Sequence, residues 1–299
     1  MSAADAQSRA VLDKAARENF PVAPFFLPRA WRGDLMAVYG FARLVDDIGD
    51  GDLANGGRDD AARLGLPAEA AADRVAMLDA FETDLRRVFD GAEDEIRHPL
   101  LRALRPTVRR CGLTPAPFLG LIEANRQDQH VRRYATYDDL LAYCELSANP
   151  VGRLVLGITG TATPERIRRS DEVCTALQIV EHLQDVAEDL GRDRIYLPAE
   201  DMKRFGVTET DLAAPTAGPQ VRALVAFEAT RTRDLLNEGT PLVGSVHGRL
   251  KLLLAGFVGG GRAALKAVAD AGFDVLPGPP KATRISLLRE VGSTLRREG

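Results

Sequence analysis

Two pairs of aspartates carry the strongest chemical signal in this chain. Asp46 and Asp50 form the first pair, and Asp185 and Asp189 form the second. In each pair one helical turn separates the two residues, which places both carboxylates on the same face of a helix. Paired carboxylates suit a hard divalent cation, and Mg²⁺ that also holds a substrate phosphate is the usual form. We therefore predict that each pair binds Mg²⁺ together with a diphosphate.

The placement of the two pairs along their helices supports this prediction. Thr163 and Pro164 are typical of a helix start, and Gly191 is expected just past the end of the same helix, behind Asp189. The first pair also runs into glycines, at Gly49 and Gly51. Carboxylates at the C-terminal end of a helix face the negative end of its dipole, which costs roughly 0.3–1 kcal/mol per exposed charge. Solvated helix ends are the alternative, but the matching placement of two pairs favours a bound cation.

Further polar residues extend the second pair along its helix face. Gln178, Glu181 and His182 precede Asp185 at helical spacing, and the stripe has no Lys or Arg to balance its carboxylates. His182 has either a direct role or an ordinary satisfied or exposed position. Arginines lie close to both pairs, and they would either bind phosphate or form surface ion pairs. These arginines are Arg43 near the first pair and Arg192 and Arg194 after the second.

Composition narrows the class of protein. The chain has 299 residues, 45% hydrophobic content and a net charge of −4, which argues against nucleic acid as the main partner. Three widely spaced cysteines without a Cys-x-x-Cys pattern indicate neither a disulfide framework nor a zinc site, so we expect a reducing cytosol. We also expect neither a signal peptide nor a membrane anchor, because no apolar run approaches the roughly 20 residues that span a bilayer.

Apolar residues recur at helical spacing, and strand signals are nearly absent, so the predicted class is all-α, with ten or so helices in one domain. The glycine-rich segment 49–67 is expected to be either a lid beside the first pair or a simple connector. Thr136 is expected to cap a helix that Asn149-Pro150 either kinks, leaving space for a ligand, or ends. Gly259–Gly261 fits a dinucleotide pattern, but without a strand before it a close helix contact is the better interpretation.

The last segment, 281–297, predicts a basic amphipathic helix. Its apolar side contains Ile285, Leu288, Val291 and Leu295. Packing against the core is the favoured interpretation, and contact with anionic lipid is the alternative.

In its aspartate motifs and the residues around them, the chain resembles the squalene and phytoene synthase family, whose fold is the all-α isoprenoid synthase. The resemblance runs from about Arg17 to Leu295 and rests on both aspartate motifs and on Arg194-Ile-Tyr-Leu-Pro198. The segments Glu18–Val22 and Tyr143–Arg153 are similar to the hydroxysqualene-forming branch of the hopanoid pathway.

The resemblance implies a single domain, 1–299, around an apolar cavity, with 1–15 and 282–299 peripheral. It implies Mg²⁺-dependent ionisation of presqualene diphosphate, rearrangement of the cation and capture by water to give hydroxysqualene. It also implies a cytoplasmic enzyme without a nicotinamide cofactor, with possible contacts to the inner face of the membrane and to other squalene-pathway enzymes. Presqualene diphosphate, squalene and phytoene synthases remain alternatives, as does a catalytically silent binding or assembly protein.

The family's functional positions carry over to this sequence as follows. Asp46, Asp50, Asp185 and Asp189 would hold Mg²⁺, and Tyr143 would face the carbocation or position water. Glu181 stands where the family usually has an asparagine ligand, which leaves that single ligand in doubt. Substrate-binding roles are assigned to Asn19, Tyr39, Arg43, Asp47, Gln178, His182, Arg194 and Tyr196.

Overall fold

The computed structural model describes residues 23–91 and 93–298. In these residues every regular element is a helix, apart from one isolated bridge between Arg133 and Ile195, so the predicted all-α class is confirmed. The α-helices are α1 (Arg29–Asp50), α2 (Arg58–Leu64), α3 (Arg74–Asp90), α4 (Pro99–Cys111), α5 (Pro115–Gln127), α6 (Tyr137–Ser147), α7 (Asn149–Ile158), α8 (Pro164–Gln184), α9 (Val186–Gly191), α10 (Ala199–Phe205), α11 (Glu209–Leu212), α12 (Pro219–Gly239), α13 (Pro241–Gly244), α14 (Gly248–Asp270) and α15 (Arg284–Arg297).

The described residues fall into two compact units, one of residues 23–130 and 153–162 and one of residues 131–152 and 163–298. Each unit carries one aspartate pair. The interpretation of the chain as one domain stays a prediction.

In the first unit, aromatic side chains fix α1 between α3 and α5. Phe41 is fully buried, and its ring centroid lies 5.5 Å from that of Phe81 and 5.1 Å from that of Phe118. Aromatic pairs at these distances contribute about 0.5–1.5 kcal/mol beyond the area they bury. The helix that carries the first aspartate pair is therefore anchored five residues before Asp46.

A buried carboxylate in the same unit organises the chain between α3 and α4. Asp84 is 1% exposed and accepts hydrogen bonds from the backbone N–H groups of Arg97 (2.9 Å) and His98 (2.7 Å). The Arg87 guanidinium donates to the same carboxylate at 2.8 Å. His98 is itself fully buried, with Nε2 3.1 Å from Asp60 Oδ1. Its Nδ1 accepts from the backbone N–H of Leu100, so Nε2 carries the proton and donates to Asp60.

The segment 49–67 has more structure than either alternative assumed for it. A 3₁₀ turn at Ala54–Gly57 leads directly into α2. Asn55, Gly56 and Gly57 all have positive φ. Glycine adopts this conformation without strain, and asparagine adopts it more readily than most other residues. The interpretation of this segment as a loop is therefore wrong for its second half, because α2 is helical, and a lid role stays a prediction. Segment 193–210, in which glycine and proline also predict a loop, contains the helix α10.

In the second unit, small residues let helices pack at close range. The predicted capping box at Thr136 is confirmed, and α6 ends at Ser147 before α7 starts at Asn149, so the helix ends at this point. A Cβ atom at Gly152 would lie 2.2 Å from Ser170 Oγ and 2.6 Å from Cys174 Sγ. The space left by Gly152 is thus filled by α8, so this glycine leaves no room for a ligand.

Helix α14 is the most apolar helix of the second unit. It is long and apolar enough to cross a membrane by length and composition, but 56% of its apolar window is buried inside the protein. Eleven of its residues, among them Leu253, Val258 and Leu265, are buried. This degree of burial is typical of a core helix. The expectation that no apolar run is long enough to span a bilayer did not include α14, because Lys251 and Arg262 interrupt its apolar residues in the sequence.

The glycines of α14 form the close helix contact that the sequence predicts. A Cβ atom at Gly259 would lie 2.7 Å from the backbone nitrogen of Val291 in α15, whereas one at Gly256 would meet no atom within 4 Å. We expect Gly259→Ala to lower the free energy of unfolding by roughly 1–3 kcal/mol, because backbone atoms cannot yield as side chains do.

Gly256→Ala in the same helix is the matched control. It should leave the protein as stable or raise its stability by up to about 1 kcal/mol, since alanine is the better helix former. Urea unfolding followed by circular dichroism compares the two variants. Equal stabilities would show that α14 and α15 are not in this close contact.

Asp201 on α10 and Glu228 on α12 are both bound by one arginine, Arg231 of α12. Arg231 donates to Asp201 at 2.9 Å and to Glu228 at 2.6 Å, and its guanidinium lies 3.4 Å from the ring centroid of Tyr137. Burial, together with the nearby Asp201, raises the pKa of Glu228 from 4.5 to about 7. Because the folded pKa lies above the ordinary value, the neutral form of Glu228 stabilises the fold.

This contribution is present below about pH 4.5 and is lost as the pH rises through about 7. Glutamine imitates the neutral acid, so we expect Glu228→Gln to match the natural protein at pH 5 and to be more stable at pH 8, by up to about 3 kcal/mol. Glu238→Gln, at an exposed position of the same helix, serves as the control. Thermal unfolding at both pH values measures the effect. A glutamine variant that is less stable at pH 8 would indicate a charged Glu228.

Candidate active site

The first aspartate pair lies at the C-terminal end of α1. Three side chains from outside α1 hold this end of the helix in position. The carbonyl of Gly49 accepts hydrogen bonds from Arg74 (3.1 Å) and from Gln129 (3.0 Å). Asn125 approaches so closely that a Cβ atom at Gly49 would collide with its side chain. A guanidinium at the end of a helix also compensates the negative end of its dipole. Sequence reasoning missed all three of these supporting residues.

The carboxylate of Asp46 is open to water but has protein on several sides. Burial raises the pKa of its carboxyl to about 6, Asp50 and Asp47 add to the rise, and a hydrogen bond from Asn125 (3.2 Å) opposes it. The charge of Arg43 also opposes the rise, and Arg43 forms an ion pair with Asp47 at 2.8 Å. The charges of Asp46, Asp47 and Asp50 lie close together at this end of α1, which suits the hypothesis of a bound cation.

The second pair differs from the sequence prediction in one respect. Helix α8 ends at Gln184, Asp185 has φ −104° and ψ 16°, and a separate short helix, α9, follows. The expectation of one uninterrupted helix, with Gly191 beyond its end, is wrong because the backbone opens at Asp185 and Gly191 closes α9. The N–H of Asp189 still donates to the carbonyl of Asp185 at 2.8 Å, which keeps the two residues one turn apart.

The polar stripe before this pair is brought together as predicted. Gln178 Nε2 lies 3.1 Å from His182 Nε2, and His182 Nδ1 lies 3.8 Å from Asp189 Oδ2. The imidazole stacks on the ring of Tyr196, with centroids 3.6 Å apart and planes 9° apart. His182 therefore links the acidic residues to an aromatic cluster rather than standing alone on an exposed face.

Four rings form this cluster. Tyr196 stacks on Tyr134 at 5.6 Å, and Tyr143 lies 5.4 Å from Tyr134 and 5.6 Å from Tyr196. Tyr143 is 5% exposed. Tyr134 belongs to the cluster although it was not among the predicted site residues. The signal that could have revealed it is its position directly after Arg132 and Arg133.

Arg133 fixes the chain that follows the second pair. Its guanidinium donates to the carbonyl of Asp193 at 2.7 Å and to the Glu209 carboxylate at 2.8 Å. Asp193 has φ +60°, an unusual value for a residue other than glycine. The N–H of Ile195 donates to the carbonyl of Arg132 at 2.9 Å. These contacts set the direction in which Arg194 and Tyr196 leave α9.

The second pair fits a cation by two observations. Asp189 Oδ2 is buried and has no hydrogen-bond partner in the part of the chain that the structure describes. Burial raises the pKa of Asp185, and the nearby charges of Asp189 and Glu188 raise it further, while His182 and Lys281 oppose the rise. Within residues 23–91 and 93–298 no three metal-ligating side chains converge. Mg²⁺ is usually bound by one or two carboxylates plus substrate phosphates, so a pair is sufficient.

The remaining predicted residues are placed as follows. Tyr39 lies on α1 close enough to Arg43 to act on its charge. Glu181 is exposed on α8, and Asp50 and Arg194 are partly buried. Asn19 lies outside the described residues, and the apolar cavity stays a prediction. The metal, substrate and catalytic roles of all these residues stay predictions too.

Comparison with known proteins supplies the family. The squalene/phytoene synthase sequence family matches residues 13–289. The chain is 34% identical over 233 residues to a hydroxysqualene synthase of Zymomonas mobilis, covering 77% of this chain and 71% of that protein. It is 33% identical over 225 residues to a presqualene diphosphate synthase of Rhodopseudomonas palustris, covering 72% and 74% respectively.

A solved structure shows the same fold. The crystal structure of the squalene synthase HpnC from Alicyclobacillus acidocaldarius is similar with a TM-score of 0.77 and 41% identity, over 90% of this chain and 95% of that chain. This similarity confirms the predicted all-α isoprenoid synthase fold. With most of its length matched by one family, and with both aspartate motifs of that resemblance in place, the chain belongs to the squalene/phytoene synthase family.

Proposed function

We propose that this protein converts presqualene diphosphate and water into hydroxysqualene and diphosphate in a Mg²⁺-dependent reaction. The class of substrate, a prenyl diphosphate, is supported by membership of the family and by the names of the relatives. The single observation that carries the ionisation chemistry is the buried Oδ2 of Asp189, which accepts no hydrogen bond from the described residues and lies 3.8 Å from His182 Nδ1, beside the charge-rich Asp185. Such an arrangement costs stability in the absence of a positive charge, and a bound cation would offset that cost.

Asp46, Asp50, Asp185 and Asp189 are the residues that would hold Mg²⁺. The ion supplies positive charge that stabilises the departing diphosphate. Arg43 and Arg194 are suited to bind phosphate oxygens, since a guanidinium presents several donors in one plane. For Arg43 this requires that its ion pair with Asp47 is shared with or exchanged for the substrate.

The aromatic cluster is suited to the carbocation that ionisation leaves behind. The face of the Tyr143 ring carries partial negative charge and attracts a cation within about 6 Å of its centroid. The Tyr196 ring is covered by His182 and packs beside Tyr143. Tyr143 also has a hydroxyl group that can orient the water that ends the reaction. His182 holds the Tyr196 ring by stacking, so its main role in this proposal is to position that ring.

Formation of presqualene diphosphate is the second candidate function. The relative from Rhodopseudomonas palustris with that name is nearly as similar as the hydroxysqualene synthase from Zymomonas mobilis. Both reactions begin with ionisation of a prenyl diphosphate and use the same aspartates. They differ in whether the cation is captured by a second prenyl chain or by water.

Incubation of the purified protein with Mg²⁺ and presqualene diphosphate, without nicotinamide cofactor, tests the proposal. Mass spectrometry should find hydroxysqualene, and inorganic diphosphate should be released in equal amount. A parallel incubation with farnesyl diphosphate tests the second candidate, for which presqualene diphosphate would accumulate. If neither substrate is consumed, the proposal fails and a binding or assembly role becomes the better explanation. Addition of EDTA should stop turnover in either case.

A further inference from the structure

The outward side of α15 carries large apolar side chains that the sequence pattern assigns to the core. Ile285 is 75% exposed and Leu288 is 72% exposed, so the expectation that they pack inside the protein is wrong. The expectation fails because the helix buries a different stripe, which includes Thr294 at 0% exposure. Two neighbouring aliphatic side chains one turn apart therefore face solvent.

Arginines surround these two side chains. Arg284, Arg289 and Arg296 are exposed and lie on the same side of the helix, by their spacing of about 3.6 residues per turn. Within residues 23–91 and 93–298, none of the three has a carboxylate within ion-pair distance. The only carboxylate within α15 is Glu290, which acts on Arg262 of α14 and so lies toward the protein. We call Arg284, Ile285, Leu288, Arg289 and Arg296 the α15 face.

The opposite side of the helix is firmly attached. Val291 lies against Gly259, and the hydroxyl of Thr294 accepts a hydrogen bond from Arg262 at 2.8 Å. Thr283 caps the first turn by accepting from the N–H of Ser286 at 3.1 Å. The α15 face thus belongs to a helix that is already fixed in place, so a partner can bind it without the entropy cost of ordering the helix.

The α15 face begins close to the second aspartate pair. Gln184, which precedes Asp185, donates a hydrogen bond to the carbonyl of Pro280, and the charge of Lys281 acts on Asp185. Three residues after Lys281 the helix starts. The N-terminal end of the α15 face therefore lies close to one of the two acidic motifs.

We propose that the α15 face docks the protein on the surface of an anionic lipid bilayer. Ile285 and Leu288 enter the boundary between headgroups and acyl chains, and the three arginines contact lipid phosphates. Charge complementarity selects this partner, because a face with aliphatic side chains, several arginines and no carboxylate has the character of an interfacial helix. The apolar product of the proposed function, on which this supporting argument rests, would then be released beside the membrane.

The expected effects follow from the chemistry of each group. An arginine near an anionic surface strengthens binding about fivefold, so Arg284→Gln with Arg289→Gln should weaken it about 25-fold. Ile285→Ser with Leu288→Ser should weaken binding about tenfold or more, because aliphatic carbons no longer leave water. Raising the salt concentration should weaken binding of the natural protein and of the serine variant, and should weaken binding of the glutamine variant less, because it keeps only Arg296 of the three arginines.

Flotation of the full chain with vesicles tests the proposal without any substrate, so its failure is distinct from failure of the proposed function. One vesicle preparation contains phosphatidylglycerol and phosphatidylcholine, and the other contains phosphatidylcholine alone. The natural protein should float with the first and hardly with the second. Two matched controls should float as the natural protein does, namely Arg233→Gln, at an exposed arginine of α12, and Val75→Ser, at an exposed valine of α3.

Two results would overturn the proposal. In the first, both double variants float as well as the natural protein. In the second, the natural protein does not float with the vesicles that contain phosphatidylglycerol. If light scattering then shows a dimer that Ile285→Ser with Leu288→Ser dissociates, the α15 face belongs to a second copy of the chain. Circular dichroism of each variant confirms that it is folded.

Discussion

Asp46→Asn and Asp185→Asn should each lower turnover of the prenyl diphosphate substrate at least about 10²-fold, the effect of removing one group that stabilises developing charge. Asparagine keeps the size of the side chain but offers a cation a neutral oxygen instead of a charged one. Because each pair supplies only two carboxylates, the loss of one charge halves what that pair can provide. The prediction applies to kcat with saturating Mg²⁺ and substrate.

Both variants should fold as well as the natural protein. Burial raises the pKa of Asp185, so there the charged form opposes folding in the absence of metal, whereas Asp46 is exposed and its charge matters little to the fold. Neutral asparagine relieves this cost, and the melting temperature should stay the same or rise. Mg²⁺ with inorganic diphosphate should raise the melting temperature of the natural protein more than that of either variant.

Neighbouring acidic residues provide the controls. Asp52→Asn, just after the first pair, and Glu188→Gln, beside the second, change the net charge equally at exposed positions. Both should keep turnover within a few-fold of the natural value. Full activity of Asp46→Asn or Asp185→Asn would contradict the assignment of these aspartates to the metal, whatever the controls do.

Asp84→Ala should destabilise the first unit by about 3–5 kcal/mol, the range for removal of one partner from a buried charged pair. The substitution leaves the N–H groups of Arg97 and His98 without an acceptor and the Arg87 guanidinium without one of its carboxylates. Each buried group that loses its partner adds about 1–3 kcal/mol. The whole effect is a large part of the stability of an ordinary domain.

The fluorescence of Trp31 gives a selective measurement, because it is the only tryptophan of the chain and lies on α1 in the first unit. Its transition in urea should move to lower concentration in Asp84→Ala. Asp90→Ala, at an exposed position of the same helix, should leave the transition nearly unchanged. If the two variants unfold alike, the Asp84 network does not hold the connection between α3 and α4.

The sequence indicates the helical class and the chemistry of the site because both depend on local spacing. Local spacing in the sequence is enough to recognise the aspartates one turn apart, the cap at Thr136 and the stripe from Gln178 to Asp189. The break at Asp185 could not be predicted, because it is a change of the backbone angles at one residue, with ψ at 16° instead of about −42°, and no proline or glycine marks it. Nor could the burial of Asp84 and Glu228, since their partners Arg97 and Asp201 lie far away along the chain.

The outer side of α15 shows the same limit. Ile285, Leu288 and Val291 form one apolar stripe in the sequence, yet only Val291 packs against α14. The contact at Gly259 decides which part of the stripe is buried, and that contact needs the pairing of two helices, which spacing alone does not provide. Asn125 and Arg74, which support the first aspartate pair, were missed for the same reason.

Capture by water of the carbocation formed from presqualene diphosphate can be followed through the origin of the oxygen in the product. The purified protein is incubated with Mg²⁺ and presqualene diphosphate in water enriched in heavy oxygen, without nicotinamide cofactor. We expect hydroxysqualene whose mass rises in proportion to the enrichment of the water in heavy oxygen. A hydrocarbon without oxygen, or hydroxysqualene that carries no label, would contradict it.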